Sequence, residues 1–183
     1  YVDNSLECRD GDLLLLDFGA EYGGYAADLT RAIPVNGRFS ERQAAVYDAV
    51  LRVQRFAISR LVPGTVVPEY QKEVGNKMEE ELIGLGLLNA DEVAAQDPEK
   101  PLYKKYFMHG TSHFLGLDVH DVGDFLRPLE PGMVLTCEPG IYVREEGIGI
   151  RIENDILITA DGNEDLMATI PREREEIEAL MRK

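Results

Sequence analysis

Apolar residues recur at helical intervals in the first half of the chain. In the stretch 40–64, SERQAAVYDAVLRVQRFAISRLVPG, they return every three or four positions, and Ser40 with Gln43 forms a capping box at its start. This pattern predicts a long helix that ends at the Pro-Gly pair. A second helix is predicted to begin near Pro68 and to end in the glycine-containing segment 83–89.

Strand-like alternation occupies both ends of the chain. The stretch 9–38 predicts two strands around a glycine turn, and after a short helical piece and a loop the strand pattern returns from His109 onward. The later predicted strands are 113–121, 132–143 and 147–159, and an amphipathic helix, 171–183, closes the chain. The order predicts an α+β fold with a mostly antiparallel sheet, in one domain over 1–183.

Composition and charge exclude several classes of partner. The 183 residues carry 34 acidic and 19 basic side chains, for a net charge of −15. Nucleic acid and anionic membrane surfaces both attract basic proteins, so neither is an expected partner. No stretch approaches the ~20 apolar residues of a membrane span, and the start has no signal-peptide pattern. Cys8 and Cys137 form no CxxC pair or disulfide framework, which predicts a reducing cytoplasm.

Two aspartates in the first predicted hairpin raise an electrostatic question. If the turn centres on Tyr22 and Gly23, Asp17 and Asp28 face each other across the strands, where like charges are destabilising. Two buried carboxylates side by side need a shared proton or a cation. The alternative is a different register, with one aspartate capping the turn in solvent.

Further polar groups converge in the second half. All histidines of the chain lie in the segment HGTSHFLGLDVHD: His109, His113 and His120. Glu138 ends an apolar run, and Glu153 with Arg151 lies opposite an isoleucine face. Each feature alone is typical of a surface or structural residue. Together, four carboxylates and an imidazole without a thiolate favour Mn²⁺, Co²⁺ or Fe²⁺ over a structural zinc. The four negative charges would be offset by two divalent ions.

Four motifs carry a resemblance to a known family: DFGAEYGGYAADLTR, HGTSHFLGLDVHD, EPGIY and GIRIENDILIT, in this order. They resemble the pita-bread metallopeptidases of family M24, and within them the aminopeptidase P (Xaa-Pro aminopeptidase) branch. The likeness extends over essentially the whole chain. It implies the pita-bread fold, a mostly antiparallel curved sheet with flanking helices, and a dinuclear metal site.

The resemblance also implies roles for individual residues. The implied metal ligands are Asp17, Asp28, His113, Glu138 and Glu153. Asp28 and Glu153 would bridge two divalent ions, most simply Mn²⁺ with Co²⁺, Fe²⁺ or Zn²⁺ as alternatives; Asp17 would bind one ion, and His113 with Glu138 the other. Glu138, His109 and His120 are the implied catalytic groups. His109, His120 and Arg151 are the implied substrate-side residues.

The implied reaction is hydrolysis of the bond between an N-terminal residue and a penultimate proline, by attack of a hydroxide that bridges the ions. Alternatives are prolidase, which acts on dipeptides, and a non-catalytic pita-bread binding module. The resemblance places earlier parts of the fold, a further histidine and an N-terminal domain before Tyr1. We therefore expect an N-terminally truncated catalytic domain that is weak or inactive alone, and a homo-oligomer for the full-length protein.

Overall fold

The structure, a computed structural model, describes residues 4–182, and its first half opens with an antiparallel hairpin. Strand β1 (Leu13–Phe18) pairs with β4 (Leu29–Pro34), and the short strands β2 (Glu21–Tyr22) and β3 (Tyr25–Ala26) form the tip. The predicted hairpin is thus confirmed. Its apolar run, the four leucines of β1, is half-buried.

The register of this hairpin differs from the predicted one. Tyr22 pairs with Tyr25, and the turn is made by Gly23 and Gly24, with φ of 62° and 86°. Two central residues with positive φ are the requirement of a tight type I′ hairpin turn, which glycine meets without strain. Asp17 therefore opposes Thr30, and the prediction that it faces Asp28 directly is wrong. A shift of two positions still keeps a residue on its original face.

Two long helices follow the hairpin, as predicted. Helix α1 (Glu41–Arg60) begins at the Ser40 capping box, in which the Ser40 hydroxyl accepts from the Gln43 backbone and the Gln43 side chain accepts from Ser40 N–H. Helix α2 (Val67–Gly84) begins with proline in its first turn. A short helix α3 (Ala90–Ala94) and a 3₁₀ turn complete the helical layer.

The second half consists mainly of short antiparallel strands. They are β5 (Val134–Cys137), β6 (Gly140–Val143), β7 (Ile148–Arg151), β8 (Asn154–Ile158) and β9 (Asn163–Asp165). The predicted strand 132–143 is divided at Glu138–Pro139, since proline has no backbone N–H to pair. The last helix, α4 (Arg174–Met181), is shorter than predicted, and Lys183 lies outside the described residues.

The predicted strand 113–121 is wrong. Only Phe114 makes an isolated bridge, to Leu135, and the rest of the segment is loop. Its backbone is held by the Asp121 carboxylate, which accepts hydrogen bonds from the N–H groups of Leu117 and Val122. Aspartate side chains that bond nearby backbone in this way compete with strand pairing, so the alternation of apolar residues does not produce a strand here.

Helix α1 packs across the sheet, and one apolar cluster lies between them. The cluster includes Val46, Val50, Leu135, Ile150 and Ile156, all fully buried. An isolated antiparallel bridge between Thr30 and Glu153 joins the first hairpin to the strands of the second half. In the described part of the chain, no helix combines the length and apolar character that crossing a membrane requires. The result is the predicted α+β fold with antiparallel sheets.

Candidate metal centre

The predicted metal-binding groups come from five separate segments. They lie in β1 (Asp17), just before β4 (Asp28), in the loop after the 3₁₀ turn (His113), directly after β5 (Glu138) and between β7 and β8 (Glu153). Strand ends and loops leave side chains free to converge, because their backbone is not committed to a ladder on both sides. Residues far apart in sequence thus meet beside the Thr30–Glu153 bridge.

Asp28, His113 and Glu153 form a compact cluster. Each offers one ligand atom, and these atoms all lie within 4.8 Å of one another. His113 Nε2 is 3.5 Å from Asp28 Oδ2 and 3.6 Å from Glu138 Oε1, so the Glu138 carboxylate borders the same space. The structure therefore brings four of the five predicted ligands together.

The acidic side chains of this cluster are buried close to one another. Burial raises the pKa of Glu153 to about 8, and the negative charges of Glu138 and Asp28 add to the effect. Burial also raises the pKa of Glu138, and the positive charges of His113 and Arg151 offset this only in part. Crowded carboxylates of this kind are stabilised as anions by a cation.

His113 is oriented to present one nitrogen to the carboxylates. Its Nδ1 lies 3.0 Å from the backbone oxygen of Phe114, to which it donates, and this leaves Nε2 directed at Asp28 and Glu138. Metal-binding histidines are commonly held in one tautomer by such a bond. Burial lowers the pKa of His113, but the bonds with Asp28 and with the Phe114 carbonyl outweigh it and raise that pKa to about 9.

Asp17 lies apart from the compact cluster. Its Oδ2 accepts a hydrogen bond of 2.5 Å from Arg151 Nη2, and its side chain is 41% exposed. Arg151 also donates from Nε to the Thr30 hydroxyl, at 3.0 Å, and from Nη1 to the Tyr142 hydroxyl, at 3.2 Å. Its Nε is 3.6 Å from Glu153 Oε2, so the guanidinium lies between the two acidic residues.

The two flanking histidines occupy different environments. His109 donates from Nδ1 to the Gly110 carbonyl, at 2.7 Å, and its Nε2 lies 2.8 Å from the Tyr142 hydroxyl. Burial lowers the pKa of His109, so its Nε2 is an unprotonated acceptor at neutral pH. His120 is exposed, and its ring meets the His113 ring edge to face, with centroids 4.4 Å apart.

A cleft borders the cluster on the side of the first hairpin. Its volume is about 380 Å³, and Asp17, Asp28 and His120 are among its lining residues. Phe18 and Val119 supply apolar surface to the same cleft. A small molecule or a peptide end placed here would contact the acidic groups and one imidazole at once.

The donor set fits divalent metal ions. Oxygen atoms of Asp28, Glu138 and Glu153 and one imidazole nitrogen face a common space, and this chemistry suits Mn²⁺, Fe²⁺, Co²⁺ or Zn²⁺. Cys137, although adjacent in sequence to Glu138, directs its sulfur toward Tyr70 and the Gln54 carbonyl and is not part of the set. The mutual repulsion of these carboxylates, which the positive charges of His113 and Arg151 offset only in part, supports the same assignment.

The sequence profile of metallopeptidase family M24 matches residues 1–160, which is most of the chain. This protein belongs to family M24. The match covers all five predicted ligand positions and the three histidines, so the resemblance drawn from the motifs is confirmed.

Individual M24 relatives are similar over almost the whole chain. The Xaa-Pro aminopeptidase of Escherichia coli (strain K12) is 50% identical over 195 aligned positions, covering 99% of this chain and 43% of the relative. Human Xaa-Pro aminopeptidase 3 is 39% identical and is covered to 37% of its length. The structure of zinc-substituted E. coli aminopeptidase P in complex with product superposes with a TM-score of 0.91 at 48% identity, covering 100% of this chain and 44% of that one.

These comparisons confirm the pita-bread fold and the aminopeptidase P likeness. The chain spans less than half the length of the curated relatives it matches.

Sequence reasoning missed four polar residues of this M24 site: Thr30, Thr136, Tyr142 and Asp155. The Thr136 hydroxyl accepts from His113 N–H, at 3.1 Å, and lies 3.3 Å from Glu138 Oε1. Asp155 shares the strand parity of Glu153, and Thr30 that of Asp28, so strand alternation was a usable signal for both. Tyr142 ends the EPGIY motif, but the motif alone does not indicate its contacts to His109 and Arg151, which depend on the folded chain.

Proposed function

We propose that this protein is a dinuclear-metal Xaa-Pro aminopeptidase, and that residues 1–183 act as one catalytic domain. The cluster of Asp28, His113 and Glu153, whose ligand atoms lie within 4.8 Å, carries the proposal. The E. coli Xaa-Pro aminopeptidase, at 50% identity, supports the assignment of substrate class. The substrate is a peptide with proline in the second position.

The proposed metal ligands follow from the donor geometry. Asp28 and Glu153 would both hold the ions, because both carboxylates border the shared space near His113 Nε2. His113 and Glu138 would hold one ion. Asp17 would hold the other, and the hydrogen bond from Arg151 orients the Asp17 carboxylate. Oxygen-rich ligands favour Mn²⁺ as the resident metal.

The side chains around the centre have separable tasks in hydrolysis. When bound, two divalent ions make a water molecule a stronger acid and polarise the scissile carbonyl. Glu138, whose pKa burial raises, accepts the proton of the attacking water. His120, exposed in the cleft, donates a hydrogen bond to the carbonyl oxygen as negative charge develops there.

His109 serves the leaving group. Its Nε2 accepts from the Tyr142 hydroxyl, which in turn accepts from Arg151, and Arg151 is paired with Asp17. This chain of hydrogen bonds orients the imidazole, and its Nδ1 lies 3.8 Å from Glu138 Oε2. Because both ring nitrogens already have partners, His109 holds the leaving group in position, and Glu138 itself returns the proton it has taken up to the nitrogen of the departing proline.

Proline specificity follows from the chemistry of the substrate. A penultimate proline has a fixed φ and no N–H on the scissile bond, so a peptidase cannot hold it through an extended backbone ladder. Binding must instead use the N-terminal amine, which the acidic groups lining the cleft attract, and contacts with the ring. The net charge of −15 supports a peptide amine rather than nucleic acid as the partner.

Metal content and a paired peptide assay test the proposal. The metal-stripped chain is loaded with Mn²⁺, and elemental analysis is expected to find about two ions per chain. The loaded chain is then assayed on a tripeptide with proline in the second position and on the same tripeptide with alanine there. Release of the first residue from the proline peptide alone is the expected result. A folded chain that binds no metal, or that cleaves both peptides equally, would contradict the proposal.

The same assay, repeated on the full-length protein and extended to an Xaa-Pro dipeptide, separates the alternatives. A prolidase would cleave the dipeptide and leave the tripeptide intact. A non-catalytic binding module would cleave neither even at full length, whether or not it bound metal. The grouping of four of the five predicted ligands supports an enzyme over such a module.

We also propose a homo-oligomer for the full-length protein and a cytoplasmic location. Both cysteines are free, Cys8 exposed and Cys137 buried, as is usual for proteins of reducing compartments. Light scattering of the purified protein tests the first assignment. Fractionation of the source cells tests the second.

A further inference from the structure

Asp155 is a buried acidic residue at the metal centre. It lies in β8, two positions after Glu153, and 3% of its surface is exposed. Its Oδ2 accepts a hydrogen bond of 3.1 Å from the backbone N–H of Asp28. Among the described residues, its Oδ1 has no hydrogen-bond partner. The hydrogen bond from Asp28 N–H to Oδ2 is therefore the one that orients this carboxylate.

The backbone at Asp28 depends on that contact. Strand β3 ends at Ala26 and β4 begins at Leu29, so Asp28 lies in a gap between two ladders. Its N–H is satisfied by a side chain from a residue 127 positions away instead of by a neighbouring strand. A buried N–H without a partner is destabilising, so the Asp155 bond fixes where this segment of backbone lies.

The register of the sheet brings these two acids face to face. Thr30 bridges Glu153 in antiparallel fashion, and continuing that register by two residues places Asp28 opposite Asp155. Like charges directly opposed in an antiparallel pair are destabilising. An ordinary strand position would be filled by an apolar or neutral residue, so a buried carboxylate here points to a role at the metal centre.

We infer that Asp155 is a positioning residue that holds Asp28 in its metal-binding orientation. The inference rests on the proposed metal centre. Through it, the short segment 153–155 contributes twice to the proposed centre: Glu153 as a proposed ligand, and Asp155 as the residue that aligns the proposed ligand Asp28. The feature that acts is the acceptor oxygen, and the negative charge is not required.

Three variants separate the acceptor oxygen from the charge. D155N keeps a carbonyl oxygen of the same shape, D155A removes it, and D155L fills the volume without an acceptor. Mn²⁺ affinity is measured by calorimetry. The absorption spectrum of the Co²⁺-loaded protein reports ligand geometry. D155N is expected to bind Mn²⁺ within about threefold of wild type and to keep the Co²⁺ spectrum. D155A and D155L are expected to bind Mn²⁺ about 10–100-fold more weakly and to show a shifted Co²⁺ absorption spectrum.

Asp165 provides a matched control for general damage. It lies in β9 beside β8, and its carboxylate accepts from Asn154 and Arg172; within residues 4–182 it has no hydrogen bond to a proposed ligand. D165A is expected to lower the melting temperature while Mn²⁺ affinity and the Co²⁺ spectrum stay unchanged. If D155A does not fold, D155L provides the measurement without the acceptor oxygen, because its side chain fills the volume that alanine leaves empty.

The outcomes distinguish the inference from the proposed function. If wild type binds Mn²⁺ and D155A or D155L binds it equally well, Asp155 has no positioning role. The same conclusion follows if D155N loses as much affinity as D155A, since the charge would then be what matters. A folded wild type that binds neither Mn²⁺ nor Co²⁺ would overturn the metal centre itself, and the role of Asp155 with it.

Discussion

The Thr30 hydroxyl donates a hydrogen bond of 2.6 Å to Glu153 Oε2, across 123 positions of sequence. The same oxygen of Thr30 accepts from Arg151 Nε at 3.0 Å, so one small side chain ties the acidic residue to the basic one. Because Thr30 also bridges Glu153 through the backbone, the two halves of the fold meet at this point. Stability and site geometry are therefore coupled here.

Two substitutions at Thr30 should distinguish the contribution of its hydroxyl to stability from that of its methyl group. T30V keeps the volume but leaves Glu153 and Arg151 without their shared partner, and we expect it to lower the free energy of unfolding by about 2 kcal/mol. T30S keeps the hydroxyl and should stay within about 1 kcal/mol of wild type. Urea denaturation of both variants without metal measures the difference. Equal stabilities of T30V and T30S would show that the hydroxyl contributes nothing.

Glu138→Gln should abolish hydrolysis without unfolding the protein. The amide matches the carboxylate in size but cannot accept a proton from water, so kcat is expected to fall by at least about 100-fold. Circular dichroism should show an unchanged fold. E146Q, which alters an exposed partner of Arg42 remote from the centre, is the matched control and should retain activity. If E138Q hydrolysed Xaa-Pro peptides as well as wild type, the role given to Glu138 would be wrong.

Divalent metal should stabilise the folded protein. A ligand that binds only the native state adds about 2.7 kcal/mol at a concentration 100 times its dissociation constant. Thermal melts with Mn²⁺ are expected to show a higher Tm, which a chelator reverses. In H113A, which lacks the Nε2 that faces Asp28 and Glu138, this increase should be much smaller. An identical Mn²⁺ response in wild type and H113A would exclude His113 as a ligand.

Glu81 should make stability depend on pH in the acid range. Burial raises its pKa, but hydrogen bonds from Arg52 and Lys77 outweigh burial and leave that pKa below its ordinary value of 4.5. A carboxyl with a lowered folded-state pKa binds fewer protons folded than unfolded, so its contribution is present above pH 4.5 and is lost as pH falls below it.

The comparison of wild type with E81Q isolates this contribution. Wild type should be the more stable at neutral pH, and the difference in unfolding free energy should shrink as pH falls from about 5 to 3. Chemical denaturation of both proteins at several pH values measures it. A difference that stayed constant over this range would contradict the assigned ion pairs.

Two glycines should respond to alanine in opposite directions. A Cβ at Gly19 would lie 1.7 Å from the Ala27 carbonyl oxygen, at the end of the β1–β4 pair beside Asp28. G19A is therefore expected to lose about 3 kcal/mol or more of unfolding free energy, since backbone must move. Gly84, in α2, has open space at the same position, and G84A should gain about 0.5–1 kcal/mol from helix propensity. Denaturation midpoints with unchanged slopes test both values.

The local elements of this fold could be predicted because their signals are local. The α1 boundaries follow from the Ser40 capping box and from apolar spacing, which are properties of neighbouring residues. The segment 113–121 was mispredicted because its alternation resembles a strand, while the Asp121 carboxylate bonds the backbone into a loop. The hairpin register was missed by two residues because either of two adjacent dipeptides could form the turn.

The sequence by itself determined the composition of the centre: which carboxylates and imidazoles it contains, and the family to which its motifs belong. Only the tertiary structure decided how they are arranged. It pairs Asp17 with Arg151, and it brings the Thr30 hydroxyl within hydrogen-bond distance of Glu153. It also brings the Asp155 carboxylate within hydrogen-bond distance of the Asp28 backbone N–H. The physical reason is the sequence separation of the interacting residues, since residue type and spacing indicate only interactions between neighbours along the chain. Contacts across 120 or more positions, such as these three, depend on register and packing that exist only once the sheet has formed.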